Sequence, residues 1–347
     1  MDKGGKEMKK WLMPIVLLIV LTLVACSNDT EEETKNEEEE KTDREKVTFV
    51  LDWQPNTNHT GLYVAQEKGY FEEEGLEVDI QLPGEADAHQ LVASGKGDFG
   101  IGAQESITEA RAEGMPIVSI AAIIQHNTSG LASPVSKGID SPKDYVGKTY
   151  GGWGSPMHQA VIETMMEEDG VEQPEVEEIN IGMNDFFTAV ERDIDYAWIF
   201  YAWTGIEAQL RDVDLNMQYM KDYDERLDFY TPVITTNEKL IAESPETVEK
   251  FMRALSKGYE FAIDEPEKAA DLLLQAVPDL DEELVKKSQA WLSPKYRDDA
   301  VRWGEQKLDV WKGYAEWMKE HDLLEGEFIP EEAFTNDFLP EEASTDE

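Results

Sequence analysis

Three short segments carry the side chains best suited to recognise a ligand. Asp52 and Trp53 follow the apolar run 47–51, with Asn56 and His59 close behind. Gly151-Gly152-Trp153-Gly154-Ser155-Pro156 follows a second strand-like run. Phe200-Tyr201-Ala202-Trp203 follows a third, and Glu207 stands one helical turn past Trp203, where both can face one side. An indole offers a broad π-face for stacking. Carboxylate, amide and imidazole groups add directional hydrogen bonds, and glycines let the backbone come close to a bound molecule. Gln104 lies in Gly102-Ala103-Gln104-Glu105-Ser106, between a strand and a helix start, where exposed amides can hold a polar edge. Each residue also has a plainer reading: tryptophans as packing, Asn56 as a cap, His59 as a satisfied interior group, Ser106 as a helix residue, and Glu207 as a carboxylate favoured by a helix dipole.

This is chemistry of recognition, and the parts needed for bond breaking are missing. Cys26 is the only cysteine, so no disulfide or zinc–thiolate set is expected. The histidines His59, His89, His126, His158 and His321 are scattered, with no His-Glu-x-x-His. No Gly-x-Ser-x-Gly elbow occurs, and the 151–156 loop lacks the Gly-Lys-Ser/Thr of a phosphate loop. Neither a metal nor a cofactor is expected.

The elements that must position these residues alternate strand with helix, the pattern of a largely parallel α/β fold. Strands are predicted at 47–51, 78–82, 99–101 and 117–124, with helices at 62–68, 90–94 and 105–112 between them. The chain restarts near Ser141-Pro142 with strands at 148–151, 176–181 and 196–200 and helices at 157–168, 185–191 and 203–211. Residues 232–236 read as a strand crossing back, and helices follow at 245–264, 266–276, 281–291 and 298–319, where Trp291, Trp303, Trp311 and Trp317 read as core. The expected organisation is one lobe from 46–138 plus 233–330, a second from 139–232, and an acidic, frayed tail from 331–347. Two crossing strands join the lobes around a ligand cleft, which places ligand contacts just after strand ends.

Met8-Lys9-Lys10, the apolar run 11–24 and Leu23-Val24-Ala25-Cys26 have the layout of an export leader spanning 1–25. The last four residues resemble the lipobox of bacterial lipoproteins, which would make Cys26 the lipid anchor on the outer side of the cell membrane. Residues 26–45 are acidic and almost free of apolar side chains, the composition of a disordered tether. With 31 Lys and Arg against 75 Asp and Glu, the formal net charge is −44. Such a surface repels phosphate backbones and anionic lipid, so nucleic acid is not expected as a partner, and membrane attachment falls to the acyl chains.

Several segments together resemble one family. They are 47–59, with its Asp52-Trp53-Gln54-Pro55-Asn56-Thr57-Asn58-His59; Ala65-Gln66-Glu67-Lys68-Gly69-Tyr70-Phe71; Ser94-Gly95-Lys96-Gly97-Asp98-Phe99-Gly100; and Gly147-Lys148-Thr149-Tyr150-Gly151. The chain is similar to the NMT1/Thi5-like proteins over roughly 46–325. That resemblance implies a periplasmic-binding-protein fold of type II-like plan. It also implies a monomeric solute-binding component of an ABC importer, partnered by a permease and its ATPase subunit. The run 52–59 resembles the thiamine-pyrimidine branch, which implies an aminopyrimidine ligand, N-formyl-4-amino-5-aminomethyl-2-methylpyrimidine foremost. The resemblance adds His59, at the family's Pro-x-x-x-His position, to the site. With it stand Asp52, Trp53, Asn56, Gln104, Gly152, Trp153, Gly154, Ser155, Tyr201, Trp203 and Glu207. Some family members are pyrimidine-forming enzymes with Lys-Ala-x-x-His after the Gly-Asp strand. Here Gly102 and Ser106 hold those two positions, and a Schiff base needs an amine that glycine lacks. A sulfonate or nitrate binder is a further alternative, which would call for a basic cleft.

Overall fold

The computed structural model describes residues 44–84, 86–182 and 185–341. The expected leader 1–25, Cys26 and the tether up to residue 43 lie outside the described residues, as do 342–347 of the tail.

The chain opens with β1 (Glu45–Val50), where Val47 and Phe49 alternate into the core. It continues through α1 (Thr60–Glu67), α2 (Tyr70–Glu73), β2 (Leu76–Gln81), α3 (Ala88–Ala93), β3 (Phe99–Gly102), α4 (Gln104–Ala112) and β4 (Ile117–Ala122). After a first crossing come β5 (Ser129–Pro134), β6 (Thr149–Gly152), α5 (Pro156–Glu168), β7 (Glu177–Asn180), α6 (Phe186–Arg192), β8 (Tyr196–Phe200), α7 (Ile206–Leu210) and β9 (Leu215–Tyr219). The chain then returns through β10 (Val233–Asn237) to α8 (Glu238–Glu243), α9 (Pro245–Asp264), α10 (Pro266–Ala276), α11 (Glu282–Leu292), α12 (Leu308–Glu320) and α13 (Pro330–Ala333).

Two sheets result, ordered β2-β1-β3-β10-β4 and β7-β6-β8-β5-β9. In each, the fourth strand runs antiparallel to its neighbours, and in each it is the strand that a crossing delivers. The two sheets thus share one plan, the two-lobed periplasmic-binding-protein fold. The helices on the first sheet pack closely because Gly61 of α1 lies against the ring of Tyr259 and Gly258 of α9 lies against the Gly61 carbonyl, leaving no space for a Cβ at either position. Buried Phe49, Phe71 and Phe99 gather around Phe251, with Phe99 stacked on it at 3.9 Å between ring centres. Helix α12 belongs to both lobes: Trp311 and Ala315 join the first-lobe core, while Tyr314, Trp317 and Met318 join that of the second. No helix among the described residues is long and apolar enough to cross a membrane.

Three sequence expectations need correction. The first crossing falls at 123–128, not near 138, because Ser129–Pro134 already pairs with β8 and β9. That strand carries Gly130 and Pro134, which obscure a strand pattern; Gly130 is required where the backbone passes against the Gln218 carbonyl. The helix expected over 298–319 begins only at Leu308, and the preceding stretch places Gly304 in a bridge to Ala122. The tail is packed as far as Leu339: Phe334 bridges to Ser119 and stacks on Trp311 at 5.7 Å, and Leu339 is buried. Strand β4 is the edge of its sheet, and these segments cover the hydrogen-bonding groups an open edge would expose.

Candidate functional site

A cavity of about 410 Å³ lies between the lobes. Asp52, Trp53, Asn56, Thr57 and Asn58, just past β1, form the first-lobe wall. Gly151 and Trp153 at the end of β6, Trp198 and Phe200 on β8, and Ala202 and Trp203 beyond it form the opposite wall. Thr128 of one crossing, and Thr231 and Pro232 of the other (joined by a cis peptide), close the back. The walls thus sit at carboxyl ends of strands, where open α/β sheets bind ligands. Trp53 is 53% exposed, Trp153 51% and Phe200 42%, so large π-faces stand open rather than packed. Asp52 is the only charged residue among the described lining residues.

The first-lobe wall is held from behind. The backbone N–H of Asn56 donates to His59 Nδ1 at 3.2 Å, and Nε2 lies 2.9 Å from Asp52 Oδ1. An amide N–H only donates, so Nδ1 is the bare nitrogen and Nε2–H donates to the carboxylate. Fully buried His59 is therefore a neutral orienting group, and half-exposed Asp52 keeps its second oxygen for the cavity. Asn56 caps the following turn by accepting from the Asn58 N–H at 2.9 Å. Tyr259 donates to the Asn58 carbonyl at 2.7 Å and Tyr296 to that of Thr57 at 2.5 Å, which pins the turn.

On the opposite wall, Trp153 Nε1 donates to the Gly182 carbonyl at 3.0 Å. Behind Trp153 and Trp198 lies His158, its ring centre 5.4 and 4.7 Å from theirs. Burial pushes the His158 pKa down to about 4, so the ring packs as a neutral aromatic, and its Nδ1 lies 3.1 Å from the Tyr150 hydroxyl. The turn that presents Trp153 closes through Gly154, at φ +79°, whose N–H donates to Glu178 at 2.6 Å. Trp203 sits in a π-turn spanning Tyr201–Gly205, an irregularity frequent at functional sites.

Of the residues singled out in the sequence, Asp52, Trp53, Asn56, Trp153 and Trp203 line the cavity, and His59 supports it. The others lie elsewhere. Gln104 is fully buried; it accepts from the Tyr230 N–H at 2.9 Å and donates to the Val310 carbonyl at 3.2 Å, because its loop abuts α12 and not the cleft. Gly152, Gly154 and Ser155 shape the turn without lining the cavity, and Gly151 lines it instead. Tyr201 turns away onto Trp291, 5.0 Å between ring centres, and Glu207 is paired with Arg211. Thr128 lies in the first crossing, which the sequence pattern sets too late, and Thr231 in the second, where no local signal marks it as a wall residue; Phe200 opens the aromatic run 200–203, and Trp198 precedes it on β8. A larger depression of about 650 Å³ lies on the second lobe near Lys137, Phe187 and Arg211. Its cations are already engaged, Lys137 with the Ile194 carbonyl at 2.9 Å and Arg211 with Glu207 and the Phe187 face, so the inter-lobe cavity is the stronger candidate. Among the described residues no cluster of His, Cys, Asp or Glu is placed to hold a metal.

Fold and cavity together define a two-lobed protein with an aromatic inter-lobe cleft. The chain belongs to the NMT1/THI5 like family, whose model matches residues 56–269. It is 31% identical to the formylaminopyrimidine-binding protein of Halalkalibacterium halodurans, over 95% of this chain and 99% of that one. It is 30% identical to the 4-amino-5-hydroxymethyl-2-methylpyrimidine phosphate synthase of Legionella pneumophila, over 70% of this chain and 78% of that one. Among solved structures, the periplasmic aliphatic sulphonate binding protein SsuA from Escherichia coli shares the fold at a TM-score of 0.67 and 12% identity, over 86% of this chain and 94% of that one.

Proposed function

We propose that this protein is the solute-binding component of an ABC importer and that its ligand is a thiamine-precursor aminopyrimidine, N-formyl-4-amino-5-aminomethyl-2-methylpyrimidine foremost. The observation that carries this reading is the composition of the cleft: open tryptophan faces around one oriented carboxylate, with no cation among the described lining residues. A neutral, flat heterocycle stacks on such faces. Its exocyclic amino group offers the donor that the free Asp52 oxygen requires. A cavity of about 410 Å³ suits a small molecule of this kind, at the low end of the ~300–1,000 Å³ of small-molecule sites. The named relative at 31% identity over 95% of the chain supports the same ligand class.

A sulfonate fits this cleft poorly, since it would meet a carboxylate and no compensating charge. A pyrimidine synthase is disfavoured at Gly102: it carries no amine, and Thr235 and Ile107 lie 3.1 and 3.3 Å from where its Cβ would stand. The reading extends to the compartment: residues 1–25 are an export leader, Cys26 carries the lipid that holds the protein outside the membrane, and a monomer delivers ligand to a permease driven by a separate ATPase. Metabolic labelling with palmitate, lost in Cys26→Ser, checks the anchor.

Thermal melting with a panel of small molecules tests the ligand. At about 100-fold excess over Kd, a bound ligand stabilises by ~2.7 kcal/mol, several degrees for a domain of this size. The expected result is a shift with formylaminopyrimidine and none with taurine or pyridoxal phosphate. A shift with taurine alone would overturn the reading.

A further inference from the structure

Beside the cavity the second lobe is fastened to the first, and the fastening uses two residues of the cavity wall, Ala202 and Trp203, with their neighbour Tyr201. Tyr201, Ala202 and Trp203 are consecutive in the π-turn after β8, and all three meet α11 or the helices packed with it. The Tyr201 ring lies 5.0 Å from that of Trp291, centre to centre. The Ala202 carbonyl accepts a short hydrogen bond from the Ser288 hydroxyl. Trp203 packs into the apolar cluster of Tyr63, Leu273 and Val285. Val285, Ser288 and Trp291 recur every third residue, so α11 turns one stripe toward the other lobe.

The Ser288 hydroxyl is also 2.6 Å from Thr57 Oγ1, and Thr57 belongs to the opposite cavity wall. The proton positions follow from the chemistry of the groups. The Ala202 carbonyl only accepts, so the single Ser288 proton goes there. The Thr57 hydroxyl must then be the donor to Ser288. A directed relay, Thr57 to Ser288 to Ala202, thereby joins the two walls of the cavity through a fully buried hydroxyl.

Resting on the reading of the cleft as a ligand site, we propose that this relay, with Trp203 seated on α11, is the latch that holds the lobes closed, and that Ser288 sets how long a bound ligand stays. Ser288 is a positioning residue: it is absent from the cavity lining and acts through Thr57 and Ala202. Opening the cleft separates Ser288 from its acceptor, and the latch therefore acts on the escape step. Entry proceeds from the open form and does not involve it.

The test is Ser288→Ala in the full chain, read by stopped-flow tryptophan fluorescence with formylaminopyrimidine. Dissociation is expected to be roughly tenfold faster, with the association rate changed by less than about twofold. A variant that merely loosened the fold would lower the melting temperature and slow association as well. An unchanged dissociation rate in a variant that still binds would overturn the latch and leave the ligand assignment standing. A ligand-free readout covers the opposite case. Spin labels at Glu191→Cys and Glu267→Cys, in a Cys26→Ser background, report the distance between lobes. Ser288→Ala is expected to move that distribution toward longer distances, and an identical distribution would refute the latch whatever the ligand proves to be.

Discussion

Replacing Asp52 with Asn probes the recognition chemistry at one atom. His59 Nδ1 accepts the Asn56 amide, so its Nε2–H must point at residue 52 and demands an acceptor there. Asn can supply one, but only by aiming its carbonyl at His59, which turns its NH2 into the cavity. Where the native side chain presents a charged acceptor to an incoming amino group, the variant presents a donor. The loss is one charge-assisted hydrogen bond, ~1.5–3 kcal/mol, plus ~1–3 kcal/mol for opposed donors left unpaired. Together these weaken Kd by about 10² to 10⁴. Because the bond to His59 survives, denaturant stability should change by less than ~1 kcal/mol. Calorimetric titration with formylaminopyrimidine and urea unfolding, run in parallel, separate the two quantities. Binding within about twofold of the native protein would refute the assignment of Asp52 as an acceptor, and a large fall in stability would refute the deduced tautomer.

Other perturbations act on neighbouring parts of the account. Trp53→Ala should weaken binding by ~2–4 kcal/mol while hardly altering stability, since the ring stands 53% exposed; fluorescence titration and thermal melting read the two effects. His126 ties the two crossings together, with Nδ1 2.6 Å from Asp228 and Nε2 3.2 Å from Asp299. The hydrogen bond to Asp228 raises its pKa above 6.5, against burial and nearby Lys221, so its stabilisation is complete below about pH 6.5 and fades as pH rises through the folded-state value. His126→Ala should therefore lose more stability at pH 6 than at pH 9 in urea unfolding. Glu105 behaves differently: burial pushes its carboxyl up to about 7, and Oε2 is buried without a hydrogen-bond partner. The folded state holds this proton between about pH 4.5 and 7 while the unfolded chain releases it, so stability falls as pH rises through that window. Glu105→Gln should remove that slope and stabilise the protein at pH 8 by ~1–3 kcal/mol, measured by the same unfolding experiment.

The first-lobe wall was legible in the sequence because it is local. Asp52, Trp53, Asn56 and His59 lie within one turn after a strand, so recognising the strand brings them together; His59 entered through the family resemblance, and its place behind Asp52 is seen only in the structure. The helices from 245 to 292 were legible for the same reason: prolines open the first two, Asp281 caps the third, and long apolar periodicity marks them all. What the sequence concealed depends on distant partners. Gln104 has the right chemistry just after a strand, but α12 claims it, a partner some two hundred residues away; Glu207 is claimed by Arg211 at i+4, a pairing that the local spacing itself offered. Strand β5 reads as a loop because its burial comes from β8 and β9, and missing it hid Thr128 at the back of the cleft. The tail at 331–341 looked acidic and free, yet Phe334 and Leu339 fold back to cover an edge whose existence only the sheet order reveals.

The most direct test of the central claim is calorimetric titration of the protein with N-formyl-4-amino-5-aminomethyl-2-methylpyrimidine, with taurine titrated alongside. The account predicts saturable one-to-one binding of the pyrimidine with a negative heat-capacity change from burial between the aromatic walls, and no heat from taurine. Saturable binding of taurine with none of the pyrimidine would contradict it.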